Sequence, residues 1–237
     1  MPKRGKKYQD TAALIEPTTN YSPDEAVELV KKASYAKFDA TIEAHLRMGL
    51  DPRKADQQIR ATVQLPHGTG RVVRVMVFAE GEDQKVALDA GADYAGTDEY
   101  VQKIQGGWYE FDVSVATPNV MSKVGRLGKL LGPRGLMPSP KAGTVVPGPD
   151  LDRVVTELKA GRVEFRLDRT ANIHVPIGKA SFSAEQLGQN FAALMEAIVQ
   201  SKPSASKGAY IRKITLTPTI GPGVKVDPAQ AMQLKLG

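Results

Sequence analysis

The sequence predicts an α/β protein with two domains, one inserted into the other. Apolar and polar residues alternate almost without exception at 38–50, and a second alternating segment follows at 210–217, which is typical of half-buried strands. In the middle, continuously apolar strands alternate with helices, as in βαβ units and a parallel sheet. We therefore expect a discontinuous α+β domain of split-βαβ type over 1–67 and 161–237. A Rossmann-like domain of three α/β/α layers should occupy 68–160.

The chain opens with a short basic arm, followed by a helix. Ser22 can cap this helix, and Pro23 suits its first turn. Glu25 completes a capping box, and we expect the helix to end near Lys32. The arm before it should be mobile until it meets a partner. The cations of the arm are Lys3, Arg4, Lys6 and Lys7.

The outer domain is built around the alternating segment 38–50. Its pattern places Phe38 and the even-numbered residues on a buried face, and Thr41 and Glu43 on a polar face. The other elements expected in this domain are strands at 59–65, 162–167, 171–177 and 210–217 and a helix at 183–201.

The inserted domain begins after a glycine-rich turn at 68–70. The apolar run 71–79 predicts a strand covered on both faces. Thr97 is expected to cap one of the following helices. The remaining elements expected here are strands at 92–95 and 111–117 and helices at 83–90, 97–105 and 150–160.

A stretch at 113–149 contains no carboxylate and is rich in glycine and proline. We interpret it as a long, stiffened, irregular loop, and a purely cationic loop of this kind is a candidate surface for polyanions. A solvated basic loop with no partner is the alternative. Its cations are Lys123, Arg126, Lys129, Arg134 and Lys141.

Charge and composition restrict the possible partners. The net charge is +6, divided as +7 over 1–67 with 161–237 and −1 over 68–160, so an anionic partner is expected mainly at the outer domain. The absence of cysteine excludes disulfides and thiolate chemistry. Without a long apolar run or a signal-peptide pattern, we expect a cytoplasmic protein that does not enter membranes.

Enzyme and cofactor motifs are missing. The glycines fit neither a phosphate-binding P-loop nor a dinucleotide fingerprint, and no nucleophile elbow is present. His45, His67 and His174 lack the spacing of a zinc site. We therefore expect no cofactor, no metal and no enzymatic activity.

RNA-binding signatures are weak. Two G-x-x-G tetrapeptides, at 125–128 and 132–135, fit the loop of KH domains, but their surroundings do not. The aromatic content of 6% argues against a platform for stacking single-stranded bases. A structured RNA, recognised by shape, phosphates and 2′-hydroxyls, is the better candidate.

Several strings closely resemble the bacterial ribosomal protein L-one family, the stalk protein of the large subunit. The most specific is LGPRGLMPSPKAGTV at 131–145. The likeness extends over essentially the whole chain, although Ile220 stands where the family often has methionine. The other matching strings lie at 37–43, 51–54, 65–70, 178–182 and 219–222.

The resemblance implies a discontinuous domain with an insert, as inferred above, and a set of partners. Members bind a three-way-junction region of large-subunit ribosomal RNA and form the mobile stalk beside the tRNA exit site. The stalk helps to release deacylated tRNA, and bacterial members repress translation of their own operon's message by binding its leader. We accordingly expect a ribosomal, translation-regulating protein that is monomeric when free.

The resemblance also implies the contact residues. Glu43 should accept hydrogen bonds from ribose hydroxyls or base amines, because a carboxylate repels phosphate. An ordinary solvated strand face is the alternative for Thr41 and Glu43. The basic stretch at 113–149 becomes a secondary contact with ribosomal RNA or tRNA. The expected primary contacts are Lys37, Phe38, Thr41, Glu43, His174, Lys179, Ser181, Thr219, Ile220 and Gly221.

Two functions of other classes are kept as rivals. A Rossmann-type enzyme would show itself by binding a nucleotide such as NAD or ATP. A basic membrane-surface protein would bind anionic liposomes, although the sequence shows no amphipathic cationic helix of the kind such proteins use.

Overall fold

A computed structural model describes residues 5–235, which form a mixed α/β structure of two compact units. One unit runs to Gly70 and resumes at Val163, and the other comprises Arg71–Arg162. These divisions differ slightly from the predicted 67/68 and 160/161. The Asn190 side chain donates a hydrogen bond to the carbonyl of Gly68, and this contact attaches 68–70 to the outer unit.

Helices and strands alternate irregularly along the chain, and each is numbered here in chain order. The strands are β1 (Thr41–Met48), β2 (Arg60–Gln64), β3 (Val75–Phe78), β4 (Tyr94–Ala95), β5 (Val113–Ala116), β6 (Arg162–Arg166), β7 (Asn172–Lys179), β8 (Ile211–Pro218) and β9 (Val224–Val226). The helices are α1 (Lys6–Ala12), α2 (Pro23–Lys32), α3 (Glu82–Asp89), α4 (Asp98–Gln105), α5 (Met121–Val124), α6 (Gly128–Leu131), α7 (Leu151–Lys159), α8 (Ala184–Gln200) and α9 (Pro228–Ala231).

The outer unit is built on an antiparallel sheet in the order β7-β1-β8-β9. Alternation along β1 buries Ile42, Ala44 and Leu46 on one face, where α2 and α8 cover them. The other face carries the polar side chains of the same strands. Strands β2 and β6 form a separate two-stranded sheet.

Unit Arg71–Arg162 contains a parallel sheet in the order β4-β3-β5. All four residues of β3 are buried, because each face of the sheet carries its own core. Val75 and Val77 pack with α7. Met76 and Phe78 pack with the segment that contains α5 and α6.

Three local predictions need correction. Phe38 is 53% exposed and lies before β1, not on its buried face. The Thr97 hydroxyl donates to the carbonyl of Ala79 at 2.9 Å and does not cap α4. Lys6 and Lys7 begin α1, so they are helical, whereas Lys3 and Arg4 lie outside the described residues.

The basic stretch at 113–149 is an irregular loop only in its second half, after Leu131. It starts with β5 and continues through short helical turns over Pro118–Val120, Met121–Val124, Gly125–Leu127 and Gly128–Leu131. One face of these turns is apolar and belongs to the core. Its fully buried or nearly fully buried residues are Val120, Val124, Leu127 and Leu131.

Candidate nucleic-acid interface

The candidate interface is centred where the start of β1 meets the end of β8. The amide of Thr41 donates to the hydroxyl of Thr219 at 3.1 Å. In return, the amide and the hydroxyl of Thr219 donate to the carbonyl of Thr41, at 2.9 Å and 3.2 Å. These bonds fix the turn after β8 against the first residue of β1.

Strand β7 brings a cation to the same point. Thr41 pairs with Lys179 in the ladder between β1 and β7. The ammonium of Lys179 donates to the Thr41 hydroxyl at 2.9 Å. Two hydroxyls and an ammonium, from Thr41, Thr219 and Lys179, thus form one cluster, which we call the threonine cluster.

Asp39 links Ser181 to this edge of the sheet. Both the amide and the hydroxyl of Ser181 donate to the Asp39 carboxylate, at 3.0 Å and 2.8 Å. Lys37 is exposed two residues earlier. The carboxylate of Asp39 therefore places the turn after β7 close to the segment that leads into β1.

Two large apolar side chains close in sequence to the threonine cluster are exposed. Phe38 is 53% exposed and Ile220 is 47% exposed. Exposed apolar groups among hydrogen-bonding groups are suited to contact a base or a ribose. Both were predicted as contact residues.

Gly221 is required at its position by close packing. A Cβ added there would lie 2.5 Å from Cγ of Pro218 and 3.1 Å from the carbonyl oxygen of Ala33. Neither neighbour belongs to a flexible side-chain end. Any larger residue must therefore displace the turn that carries Thr219 and Ile220.

A pair of histidines lies further along the polar face. His45 pairs with His174 across β1 and β7, and their Nδ1 atoms share a hydrogen bond of 2.7 Å. Burial and the neighbouring His174 lower the pKa of His45, while Glu43, 3.6 Å from its Nε2, opposes this shift. His45, which was not predicted as a contact, thus lies between Glu43 and His174, which were.

The predicted contacts do not all meet. Thr41 is hydrogen-bonded to both Thr219 and Lys179. Ser181 is held by Asp39, and His174 lies further along the sheet. Asp39 and His45 were missed as connecting residues, although the alternation of 38–50 placed both on the polar face with Thr41 and Glu43. Within residues 5–235 no group of three or more histidine and acidic residues could hold a metal ion.

The predicted secondary contacts lie in unit Arg71–Arg162, where Lys123, Arg126 and Lys129 belong to the helical turns and Arg134 and Lys141 follow them in the chain. Lys123 forms ion pairs with Glu80 and Asp98, each at 2.8 Å, so nearby carboxylates balance its charge. The guanidinium of Arg134 lies over the ring of Tyr109, 3.9 Å from its centre. The exposed cations of the group are Arg126, Lys129, Arg134 and Lys141.

No helix within residues 5–235 has the length and apolar character needed to cross a bilayer.

The candidate interface on the outer unit offers hydrogen-bond donors, a carboxylate and exposed apolar groups on an open surface. Such a surface is suited to recognition by contact rather than to bond-breaking chemistry.

Comparison with known proteins agrees with the sequence strings. The model of the ribosomal protein L1p/L10e family matches residues 30–222. The large ribosomal subunit protein uL1 of Chloroflexus aurantiacus (strain J-10-fl) is 59% identical over 236 residues, covering 99% of this chain and all of that protein. The protein of the same name from Chloroflexus aggregans is 59% identical over the full length of both. The chain belongs to the ribosomal protein L1p/L10e family.

Proposed function

We propose that this protein is a structural component of the large ribosomal subunit that binds ribosomal RNA of the stalk junction through its outer unit. Proteins of this family are structural and not enzymes. The observation that carries the proposal is the threonine cluster, together with the exposed side chains of Phe38 and Ile220, which are close to it in sequence.

The chemistry of the cluster suits a folded RNA. The ammonium of Lys179 can pair with a phosphate, and the two hydroxyls can bond 2′-hydroxyls. Glu43 accepts hydrogen bonds from ribose or base donors and disfavours a misplaced phosphate. Phe38 and Ile220 supply apolar contact with a base or a ribose. The excess positive charge of the outer segments, +7 in total, attracts the RNA over longer distances.

Further partners follow from the same surface and from the secondary contacts. The leader of the protein's own operon message would compete with ribosomal RNA for the threonine cluster, so that excess free protein represses translation. Deacylated tRNA leaving the exit site would contact Arg126, Lys129 and Lys141, which are exposed. Both roles belong to the cytoplasm, the first to the free protein on its message and the second to the protein on the ribosome.

Filter binding with three RNAs of matched length tests the proposal. The RNAs are a stalk-junction fragment of large-subunit ribosomal RNA, the operon leader and a plain duplex. We expect the first two to bind more tightly than the duplex and to compete with each other. Affinity should fall as salt rises, because phosphate contacts release counterions. Equal affinity for all three RNAs would show a nonspecific polyanion binder and would refute the proposal.

A further inference from the structure

A small cationic notch lies at the β9 edge of the outer sheet, separate from the threonine cluster. It encloses about 180 Å³. Its lining includes three cations, Arg212, Lys213 and Lys225, and two neutral polar side chains, Asn20 and Thr215, and none of the lining residues among 5–235 is a carboxylate. A concave surface with donors of one sign and no acid attracts an anionic group.

The notch exists because two neighbouring strands differ in length. The ladder between β8 and β9 runs from Leu216 with Val224 to Ile214 with Val226. Strand β8 starts three residues earlier, at Ile211, so Arg212 and Lys213 extend past the end of β9. Asn20 and Pro228 line the space beyond that end.

Strand register places Lys213 and Lys225 of the notch on the polar face of the sheet, with His45 and His174. Lys213 pairs with Arg47, and Thr215 pairs with both His45 and Lys225. His45 in turn pairs with His174. One polar row therefore crosses all four strands, a distance of about 14 Å at the usual strand spacing.

The same row is near the threonine cluster. Thr41 and His45 are four residues apart on β1, which is about 13 Å along a strand. Lys225 lies two strands away from His45. A single folded RNA can therefore contact the threonine cluster and the notch at the same time.

We propose that the notch binds a backbone phosphate of the RNA held by the threonine cluster, an inference that rests on the proposed function. Its volume is below the roughly 300–1,000 Å³ of pockets that enclose whole small molecules, so it fits a phosphate group better than a nucleotide. The ammonium of Lys225 also donates to the carbonyl of Pro17, which holds it in place. Its other two hydrogens stay available to a phosphate.

The test compares two charge-matched double variants. Lys213→Gln with Lys225→Gln removes the notch cations. Lys32→Gln with Lys202→Gln removes two exposed cations, one on α2 and one just after α8, the helices that cover the opposite face of the sheet. Affinity for the stalk-junction RNA is measured between 50 and 300 mM salt, with a thermal melt of each variant to confirm folding.

The notch variant should bind roughly tenfold more weakly at low salt, and its slope of log affinity against log salt should be shallower by about one, as for one lost phosphate contact. The control variant should lose less than threefold in RNA affinity and keep the salt slope of the parent. A notch variant that matches the control in both measures would overturn the inference. A weakened Thr41→Val variant in the same assay would then show that the proposed function still stands.

Free nucleotide is the other source of a phosphate. Titration of the parent with adenosine monophosphate, followed by amide NMR shifts of Lys213 and Lys225, should give no saturation below about 1 mM, since a lone contact of this kind is weak. Saturation at lower concentration without a change in RNA affinity in the notch variant would assign a mononucleotide site and refute the RNA contact. A parent that binds none of the RNAs would refute both the proposed function and this inference.

Discussion

Thr41 and Thr219 exchange three hydrogen bonds although they are 178 positions apart in the chain. The threonine cluster thus exists only when the first and last parts of the outer unit have folded together. Its geometry depends on the turn after β8, whose backbone has little freedom to move.

The turn after β8 should not tolerate a side chain at Gly221. In Gly221→Ala the new Cβ would meet the Pro218 ring at 2.5 Å, and we expect a loss of about 1–3 kcal/mol in the free energy of unfolding. Affinity for stalk-junction RNA should fall as well, because Thr219 and Ile220 move with the turn. Urea unfolding and filter binding measure the two effects.

Gly188 on α8 is the matched control, since a Cβ there meets nothing within 4 Å. Gly188→Ala should raise stability by roughly 0.5–1 kcal/mol, as expected for a helical glycine, and leave RNA affinity unchanged. A Gly221→Ala variant as stable and as active as the parent would show that the turn adapts.

Phe38 should contribute to binding but not to folding. Because its side chain is 53% exposed, Phe38→Ala should change the free energy of unfolding by no more than about 0.5 kcal/mol. RNA affinity should fall by about 1–3 kcal/mol, the size of one lost stacking contact. Val199→Ala, at an exposed apolar residue of α8, should affect neither quantity. A Phe38 variant that unfolds easily would assign the ring a structural role instead.

The histidine pair should make stability depend on pH. Burial and the proximity of His174 lower the pKa of His45 from its usual 6.5, so the folded state binds this proton less readily than the unfolded state. The stability contribution is therefore fully present above about pH 6.5 and is lost as the pH falls toward the folded-state value. Urea unfolding at pH 7.5 and 5.5 should show a smaller loss for His45→Gln than for the parent. An equal loss in both would exclude His45 as the cause.

Replacing Asn190 should lower the free energy of unfolding more than replacing any other polar residue in the core of the outer unit. Asn190 is fully buried, accepts from the amide of His67 at 3.0 Å, and donates to the carbonyls of Gly68 and Ile177. Asn190→Ala should lower the free energy of unfolding by about 2–4 kcal/mol, because buried backbone groups lose their partners. Gln200→Ala, at an exposed position of the same helix, should change it by less than about 0.5 kcal/mol. Equal effects of the two changes in urea unfolding would contradict this role.

Local signals predicted the secondary structure where local chemistry decides it. Ser22 and Glu25 form the expected capping box of α2, and the alternation of 38–50 identified the buried face of β1. The same alternation misplaced Phe38, because strand pairing begins only at Thr41. Thr97 was misread because a tertiary acceptor, the carbonyl of Ala79, takes the hydroxyl that could have capped α4.

The basic stretch carries a helical pattern in its apolar residues. Val120, Val124, Leu127 and Leu131 recur at helical spacing, and this outweighs the glycines and prolines that suggested a loop. Strand β9 and helix α9 are too short to leave a clear pattern. The contact between Thr41 and Thr219 could not be predicted from residue patterns, since nothing local links positions so far apart; only the family resemblance brought them together.

We propose that the threonine cluster, and not the basic stretch at 113–149, forms the primary RNA interface. Thr41→Val removes the hydroxyl that Lys179 contacts but keeps the backbone bonds to Thr219, whereas Arg126→Gln with Lys129→Gln removes two exposed cations of the other unit. The direct measurement is the dissociation constant of each variant for the stalk-junction RNA at 150 mM salt. We predict a loss of about 1–3 kcal/mol for Thr41→Val, the size of one hydrogen-bonding group, and less than threefold for the double variant. A Thr41→Val protein that binds like the parent, beside a double variant that binds more than tenfold more weakly, would contradict the claim.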